Sequence, residues 1–487
     1  MNQSLTSLVV TPTTSINEVL TTFVNSQNDV LLIDENSVVA EPHMELLTDY
    51  PRNTSAALVA VEKNGDTLVR QNRIASATSS SHKVTIGNRK FVGILRLSQK
   101  QRSEITAVLE NAAKHKLPGN AADLVLVALT RAMVKVDAAE VWAAPYIRSP
   151  KADERTKVRD AITKLNMGRV RLSMANRAND GFFSVFFLRK FSKILTWVAV
   201  KVGATPNQVT LISFAIGLYS AYSFAQGTFW NIFLGAVLLQ LSIIVDCVDG
   251  ELARYTRKFS QLGAWLDAVT DRVKEYMVFM GLAIGAEKDG RDLWIPAVTM
   301  MFIQTFRHLS DYNYARIARF RAEEKFVAPV DFTADFDGIV PTEREPKGRL
   351  RYWLGKIIQF PIGERWLAIS ASAVIGGAAF TFNIMPILAF ISAVVVFRGR
   401  FIRTQQMPKA ATGKPLIARQ SDLFGLKRSF TERFDWLEPS VLRFIEGGFL
   451  LWILVSVNEL NIATFMILFS IVFHHYLFPE SCNSYNP

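Results

Sequence analysis

The chain has 487 residues, a formal net charge of +12 and an apolar content of 49%, which is enough sequence for two domains or more. The two cysteines, Cys247 and Cys482, are too few for a disulfide scaffold and agree with a reducing compartment. The charge does not indicate a nucleic-acid partner, because the basic residues collect in loops between apolar runs instead of on one soluble face.

Residues 1–150 have the pattern of a soluble α/β domain. Short apolar runs that predict strands alternate with patterns that predict helices. The strands are expected at Leu8–Val10, Val30–Ile33 and Ala57–Val61, the helices near 15–27, 102–115 and 120–136, and a meander over 66–94. No secretory signal peptide opens the chain, so this domain is expected in the cytosol.

Residues 151–204 are predicted to form a basic linker that ends in a helix at the membrane interface. The segment 182–197 combines six aromatic side chains with three basic ones, which is typical of an amphipathic interfacial helix. The basic residues are Arg189, Lys190 and Lys193. The alternative is a buried helix of the soluble domain, and the position just before the first long apolar run favours the membrane.

From residue 205 onward, apolar runs alternate with basic loops. Most runs reach the length of about 20 residues that crosses a bilayer core. The predicted spans are 207–226, 229–249, 264–286, 292–314, 365–384, 385–402, 440–457 and 461–478. The sequence therefore predicts an all-α polytopic domain of six core transmembrane helices over 205–405. A basic loop and an extra transmembrane hairpin are expected over 406–487.

The loops indicate how these helices are oriented. Lysine and arginine are concentrated after the second, fourth and sixth spans, whereas the intervening connections carry few or none. By the positive-inside rule, the basic loops face the cytoplasm. We therefore expect a multi-pass membrane protein with the N-terminal domain on the cytoplasmic side.

Four carboxylates lie in or beside the second and third spans. A charge at the bilayer centre costs about 2.5–3.5 kcal/mol on the insertion scale, so these residues mark a candidate functional site. Asp246 and Asp249 fall at i and i+3 of one predicted helix, and Asp267 and Asp271 fall at i and i+4 of the next. Both pairs can face one cleft on the cytoplasmic side, and clustered oxygen ligands suit Mg²⁺ or Mn²⁺.

The pattern D-x2-D-G-x2-A-R-x8-G-x3-D-x3-D is complete from Asp246 to Asp271. Its eight fixed residues would match by chance roughly once in 10⁹–10¹⁰ starting positions. The pattern resembles the signature of the CDP-alcohol phosphotransferase family of integral membrane enzymes, and the resemblance covers about residues 180–310. It implies metal-dependent transfer of a phosphoalcohol group from a CDP-alcohol to a second alcohol, with release of CMP.

The resemblance also implies the partners. A membrane location favours a lipid donor such as CDP-diacylglycerol and a role in phospholipid synthesis, and family members are commonly homodimers. The N-terminal region loosely resembles the nucleotidyltransferase domain fused to inositol-phosphate members of the family, which suggests inositol phosphate as the polar acceptor. However, Leu8–Thr14 offers no glycine or basic residue for a triphosphate. We therefore expect a degenerate relative or an unrelated cap with a stabilising or regulatory role.

The resemblance assigns roles to individual residues. Two divalent cations are expected on Asp246, Asp249, Asp267 and Asp271. Asp271 is also the candidate general base for the acceptor hydroxyl. The residues expected to border the nucleotide and its phosphates are Asn207, Thr210, Gly250, Ala253, Arg254, Ser260 and Gly263. Arg307 either contacts an acceptor phosphate or pairs with Asp311 one turn on, and Arg398 is a candidate for acceptor binding or membrane anchoring.

Two other functional classes remain open. An ion- or proton-coupled transporter would spread intramembrane carboxylates along a pathway, whereas these are gathered at one end of two spans beside Arg254. A non-catalytic membrane scaffold has no need for a complete and costly motif. Both comparisons favour an enzyme.

Overall fold

The computed structural model describes residues 5–49, 52–70, 72–175, 181–327, 349–405 and 436–477. It divides into two compact units, one formed chiefly by residues 1–176 and one that begins at residue 177. The predicted basic loop lies largely at 406–435, outside the described residues. The predicted domain boundaries after residues 150 and 204 stay predictions.

The N-terminal unit is built on a mixed seven-stranded sheet. Its strands and those of a small second sheet are β1 Thr6–Val10, β2 Val30–Asp34, β3 Ser37–Val38, β4 Ser55–Val61, β5 Thr67–Arg70, β6 Arg73–Ala77, β7 Arg89–Leu97, β8 Val136–Val141 and β9 Ile147–Arg148. The sheet order is β1-β2-β7-β4-β8-β6-β5, and β3 pairs with β9. β1 runs parallel to β2 and β4 to β8, whereas the other pairings are antiparallel.

Helices pack on both faces of this sheet. They are α1 Ile16–Asn25, α2 Glu41–Thr48, α3 Arg102–Lys114 (after a 3₁₀ turn, Gln99–Gln101), α4 Ala121–Arg131, α5 Ala152–Thr163 and α6 Met167–Met174. Alternate residues of β4 serve the two cores, as a pleated strand requires. Ala57 joins the core beneath α1, α3 and α4, and Leu58 joins the core that includes Leu47 of α2. The predicted N-terminal α/β fold is confirmed.

The second unit is helical. A π-helical turn, Ser184–Leu188, precedes α7 Arg189–Lys201, α8 Pro206–Phe224, α9 Phe229–Thr256, α10 Gln261–Lys288, α11 Trp294–Val327, α12 Arg349–Ile358, α13 Ile362–Gln405, α14 Glu438–Ser456 and α15 Ile462–Leu477. Among the described residues, three helices are long and apolar enough to cross a membrane: Phe229–Thr256, Ile362–Gln405 and Pro439–Ser456. The arrangement of six core spans stays a prediction.

Helix α13 differs from its prediction. The sequence predicts a connection at 383–385, but these residues are helical and the helical backbone is interrupted at Gly377 (φ 70°, ψ −168°). The chain folds back there. A hydrogen bond of 2.9 Å from Ser392 Oγ to the main-chain oxygen of Gln359 shows that the second half of the helix returns to the start of the first. A positive φ is accessible to glycine without the steric cost of a Cβ. The polar Asn383 that suggested a loop is therefore accommodated within a helix.

Helices α8 and α10 approach each other through glycine. A Cβ on Gly281 would lie 2.2 Å from the main-chain oxygen of Ala221, and a Cβ on Gly285 would lie 2.3 Å from that of Phe224. Small residues allow such close backbone contact between membrane helices. The contact sets the separation of the two helices that carry Thr210 and Asp271.

We expect Gly281→Ala to destabilise the helical unit, because the added methyl group forces one helix to move. Overpacking of this kind costs about 1–3 kcal/mol, so the midpoint of thermal unfolding in detergent should fall. Gly448→Ala is the matched control, since a Cβ there meets nothing within 4 Å and alanine favours a helix. Equal midpoints for the two variants would contradict the close approach.

Candidate metal and nucleotide site

A short turn between α9 and α10 positions the motif. Helix α9 ends at Arg257, which adopts a left-handed conformation (φ 57°). Ser260 then caps α10, because its Oγ accepts a hydrogen bond from the backbone N–H of Gly263 at 2.8 Å. The turn brings the last part of α9 and the first part of α10 together, and these are the parts that carry the carboxylates.

Three of the four predicted ligands meet. One carboxylate oxygen from each of Asp246, Asp267 and Asp271 lies within 4.8 Å of the other two. The buried Oδ1 of Asp271 accepts no well-aligned hydrogen bond within the part of the chain that the structure describes. Clustered hard oxygen ligands of this kind fit Mg²⁺ or Mn²⁺. We call Asp246, Asp267 and Asp271 the carboxylate triad.

Asp249 is held by helix α8. Its side chain is buried, and Thr210 Oγ1 donates a hydrogen bond to its Oδ2 at 2.6 Å. Residues three apart on a helix differ by about 60° around its axis, so Asp249 contacts Thr210 of α8, whereas Asp246 lies between Ser213 of α8 and Lys274 of α10. Thr210, predicted to border the nucleotide, therefore contacts a predicted metal ligand.

Lys274 lies against the triad and is a site residue that the sequence pattern did not predict. Its ammonium group donates hydrogen bonds to Asp246 Oδ1 at 2.6 Å and to Ser213 Oγ at 3.0 Å, and it lies 3.0 Å from Asp271 Oδ1. The side chain is fully buried. The sequence feature that could have identified it is a lysine inside an apolar span, one helical turn after Asp271.

The predicted nucleotide-binding residues form two groups. A Cβ on Gly263 would lie 2.8 Å from Asn207 Oδ1 and 2.7 Å from Ser260 Oγ, so these three residues meet at the start of α10. On α9, the guanidinium of Arg254 lies over Gly250, 3.1 Å from where a Cβ would stand. Ala253 is partly buried on the same helix. Glycine leaves space beside polar groups at both places.

The two predicted acceptor residues have different surroundings. Arg307 donates to the main-chain oxygen of Gln359. Asp311, its expected intrahelical partner, pairs with Arg400 of α13 instead. Arg398 is exposed. Of the two alternatives for Arg307, the pairing with Asp311 is therefore not observed, because Arg400 from another helix pairs with that carboxylate.

A buried ion pair between α10 and α13 was also not predicted from the sequence. Arg365 donates from Nε and Nη2 to the two carboxylate oxygens of Glu275, at 2.6 and 2.9 Å. His308 Nε2 lies 3.9 Å from the same carboxylate. A bidentate pair satisfies both charges inside an apolar bundle and ties α10 to the start of α13.

The predicted interfacial helix α7 is attached to α9 by a buried carboxylate. Glu251 is fully buried and accepts hydrogen bonds from Arg189 Nη1 (2.5 Å), Ser192 Oγ (2.8 Å) and Thr196 Oγ1 (2.6 Å). Arg189 therefore points inward and not towards lipid headgroups. Trp197 remains exposed on this helix, as expected for an amphipathic segment.

Charged residues of the N-terminal unit pair with one another. Arg148 contacts Asp34, at the end of β2, and Asp123 on α4, each at 2.7 Å. Burial raises the pKa of the Asp123 carboxyl group. The loop after β1 closes on itself, because Thr11 N donates to Thr14 Oγ1 at 3.0 Å. These contacts support a structural role for the network, and the stabilising or regulatory role of the unit stays a prediction.

Comparison with known families tests the resemblance of the motif. Residues 203–336 match the family model described as CDP-alcohol phosphatidyltransferase. The resemblance is therefore confirmed over this region, which contains the whole motif, the carboxylate triad and Asn207.

Relatives with assigned activities match over parts of the chain. The bifunctional IPC transferase and DIPP synthase of Archaeoglobus fulgidus is 34% identical over 129 residues, which is 26% of this chain and 25% of that protein. The archaetidylinositol phosphate synthase of Pyrococcus horikoshii is 38% identical over 84 residues, covering 17% and 43%. The phosphatidylinositol phosphate synthase of Streptomyces avermitilis is 32% identical over 130 residues, covering 26% and 52%. The chain thus spans between a quarter and about half of these relatives.

Solved structures also align. The phosphatidylinositol phosphate synthase of Mycobacterium tuberculosis with CDP-DAG bound is 20% identical, with a TM-score of 0.28, over 47% of this chain and 98% of that one. The same enzyme in complex with manganese and citrate aligns with a TM-score of 0.29.

Thr210→Val is expected to lower the stability of the helical unit. Valine keeps the side-chain shape but removes the donor to the buried Oδ2 of Asp249, and hydrogen bonds to charged groups contribute about 1.5–3 kcal/mol. Thermal unfolding in detergent measures the loss. Thr299→Val is the matched control, since the Thr299 hydroxyl donates to Ile295 of its own helix. A midpoint for Thr210→Val as high as that of the control would contradict this role.

Proposed function

We propose that the chain transfers a phosphoalcohol group from a CDP-alcohol, with CDP-diacylglycerol as the preferred donor, to an alcohol acceptor and releases CMP. The observation that carries this proposal is the convergence of the carboxylate triad within a complete family motif. The match over residues 203–336 supports it, as do the activities of the matching relatives.

The metal fits the donor set of the site. Asp246, Asp267 and Asp271 would hold one divalent cation, and Asp249 would complete the set for a second. Bound Mg²⁺ or Mn²⁺ would neutralise the pyrophosphate and stabilise the charge that develops during phosphoryl transfer. Thr210 fixes the carboxylate of Asp249 through its 2.6 Å hydrogen bond.

The remaining steps fall to the protein's own side chains. Asp271 takes the proton from the acceptor hydroxyl and so makes its oxygen nucleophilic. Arg254 donates hydrogen bonds to phosphate oxygens in a planar, two-pronged arrangement. Asn207 and Ser260 bind the nucleotide beside Gly263, where the missing side chain admits it. Gly250 and Ala253 have small side chains or none, so they leave space on the surface of α9 for the nucleotide.

The names of the matching relatives support the choice of acceptor. Two matching relatives are named archaetidylinositol phosphate synthase and phosphatidylinositol phosphate synthase, so we propose inositol phosphate as the acceptor, bound by Arg307 and Arg398. We further propose that the active site and the N-terminal unit face the cytoplasm, that six core helices span the membrane, and that the enzyme is a homodimer.

The Asp271→Asn variant tests this function. We expect it to fold normally and to form CMP about 10²–10⁴-fold more slowly, which is the usual contribution of general acid–base catalysis. The assay supplies purified protein in detergent with Mg²⁺, labelled CDP-diacylglycerol, and inositol phosphate or a panel of other alcohols, and measures CMP.

Asp289→Asn is the control, because Asp289 is an exposed residue at the opposite end of α10. It should retain the parent rate. A parent protein that forms no CMP with any acceptor, or an Asp271→Asn variant as fast as the parent, would overturn the proposed function.

A further inference from the structure

We propose that Lys274 is a built-in cation of the metal site: it neutralises the edge of the triad formed by Asp246 and Asp271, and it holds this edge in place before a divalent ion binds. The inference rests on the metal site of the proposed function. It assigns a positioning role to a residue outside the family motif.

The structure provides a specific place for this ammonium group. Lys274 is fully buried, and its Nζ lies 2.6 Å from Asp246 Oδ1 and 3.0 Å from both Asp271 Oδ1 and Ser213 Oγ. The ring centroid of buried Trp366 lies 5.2 Å from Nζ, a distance at which an aromatic face attracts a cation. Each of these groups favours the charged form of the lysine.

The methylene groups of the Lys274 side chain also pack into a space that a glycine leaves on α8. A Cβ on Gly217 of α8 would lie 2.6 Å from both Cγ and Cδ of Lys274. Glycine at this position therefore makes room for the chain of methylene groups that carries the charge to the triad. Ser213, one turn earlier on the same helix, accepts a hydrogen bond from its end.

Electrostatics explains why such a cation is needed. Three carboxylates within 4.8 Å of one another repel strongly where water is scarce. Nη1 of Arg272 lies 3.9 Å from Oδ2 of Asp271, which is not the oxygen that faces Lys274. Lys274 thus supplies positive charge at Oδ1 of both Asp246 and Asp271.

Two effects of Lys274→Met follow from this arrangement. The metal-free protein should unfold at a lower temperature, because the triad loses its internal counter-ion. Mn²⁺ should bind about tenfold more tightly or better, because a positive charge within a few ångströms of the metal ligands has been removed. Saturating Mn²⁺ should therefore restore most of the lost stability.

The experiment measures Mn²⁺ binding to the purified full chain in detergent by electron paramagnetic resonance, and thermal unfolding with and without Mn²⁺. Lys288→Met is the matched control, since Lys288 is exposed at the far end of α10, where it donates to Gln226, and it should behave as the parent. Equal or weaker Mn²⁺ binding by Lys274→Met, or a stability loss that Mn²⁺ does not restore, would overturn the proposal.

A second variant covers failure to fold. If Lys274→Met yields no folded protein, Asp246→Asn combined with Lys274→Met should recover it, because the excess negative charge is then reduced; a double variant that is also unfolded would reject the counter-ion role. The readout is independent of CMP. Mn²⁺ binding without CMP formation would reject the proposed function alone, whereas a parent that binds no Mn²⁺ would reject the metal site and this inference together.

Discussion

Mutual repulsion among Asp246, Asp267 and Asp271 is the constraint on which the helical unit depends. Their oxygens approach within 4.8 Å of one another between two helices that are otherwise largely apolar. The folded state therefore needs positive charge at this point to offset the repulsion. Lys274 supplies part of it from within the chain, and divalent cations suit the rest.

Contacts from the neighbouring helices also hold and neutralise the charged side chains around the triad. Helix α8 approaches α10 through Gly281 and contributes Thr210, which donates a hydrogen bond to the buried carboxylate of Asp249. Helix α13 contributes Arg365, which neutralises Glu275. Asp246, Asp249 and Glu275 each therefore have a partner on another helix. This pattern favours a rigid site for chemistry over a pathway along which ions move.

The sequence predicted four converging carboxylates on two helices, of which Asp246, Asp267 and Asp271 meet. Helical spacing places Asp267 and Asp271 on one face, and a short connection brings Asp246 beside them. It did not predict which helix each charge would meet. Asp311 pairs with Arg400 from α13, and that choice depends on tertiary packing that no local spacing encodes. The turn at Gly377 was also missed, because the predicted spans 365–384 and 385–402 put the connection further along the chain.

Crystals of the full chain grown with Mn²⁺ would test the central claim most directly, through anomalous scattering at the manganese edge. The account predicts an anomalous peak within coordination distance of Asp246, Asp267 and Asp271, with the Lys274 ammonium still on the Asp246 side. Absence of a peak at the triad at millimolar Mn²⁺, or a peak bound by other residues only, would contradict it.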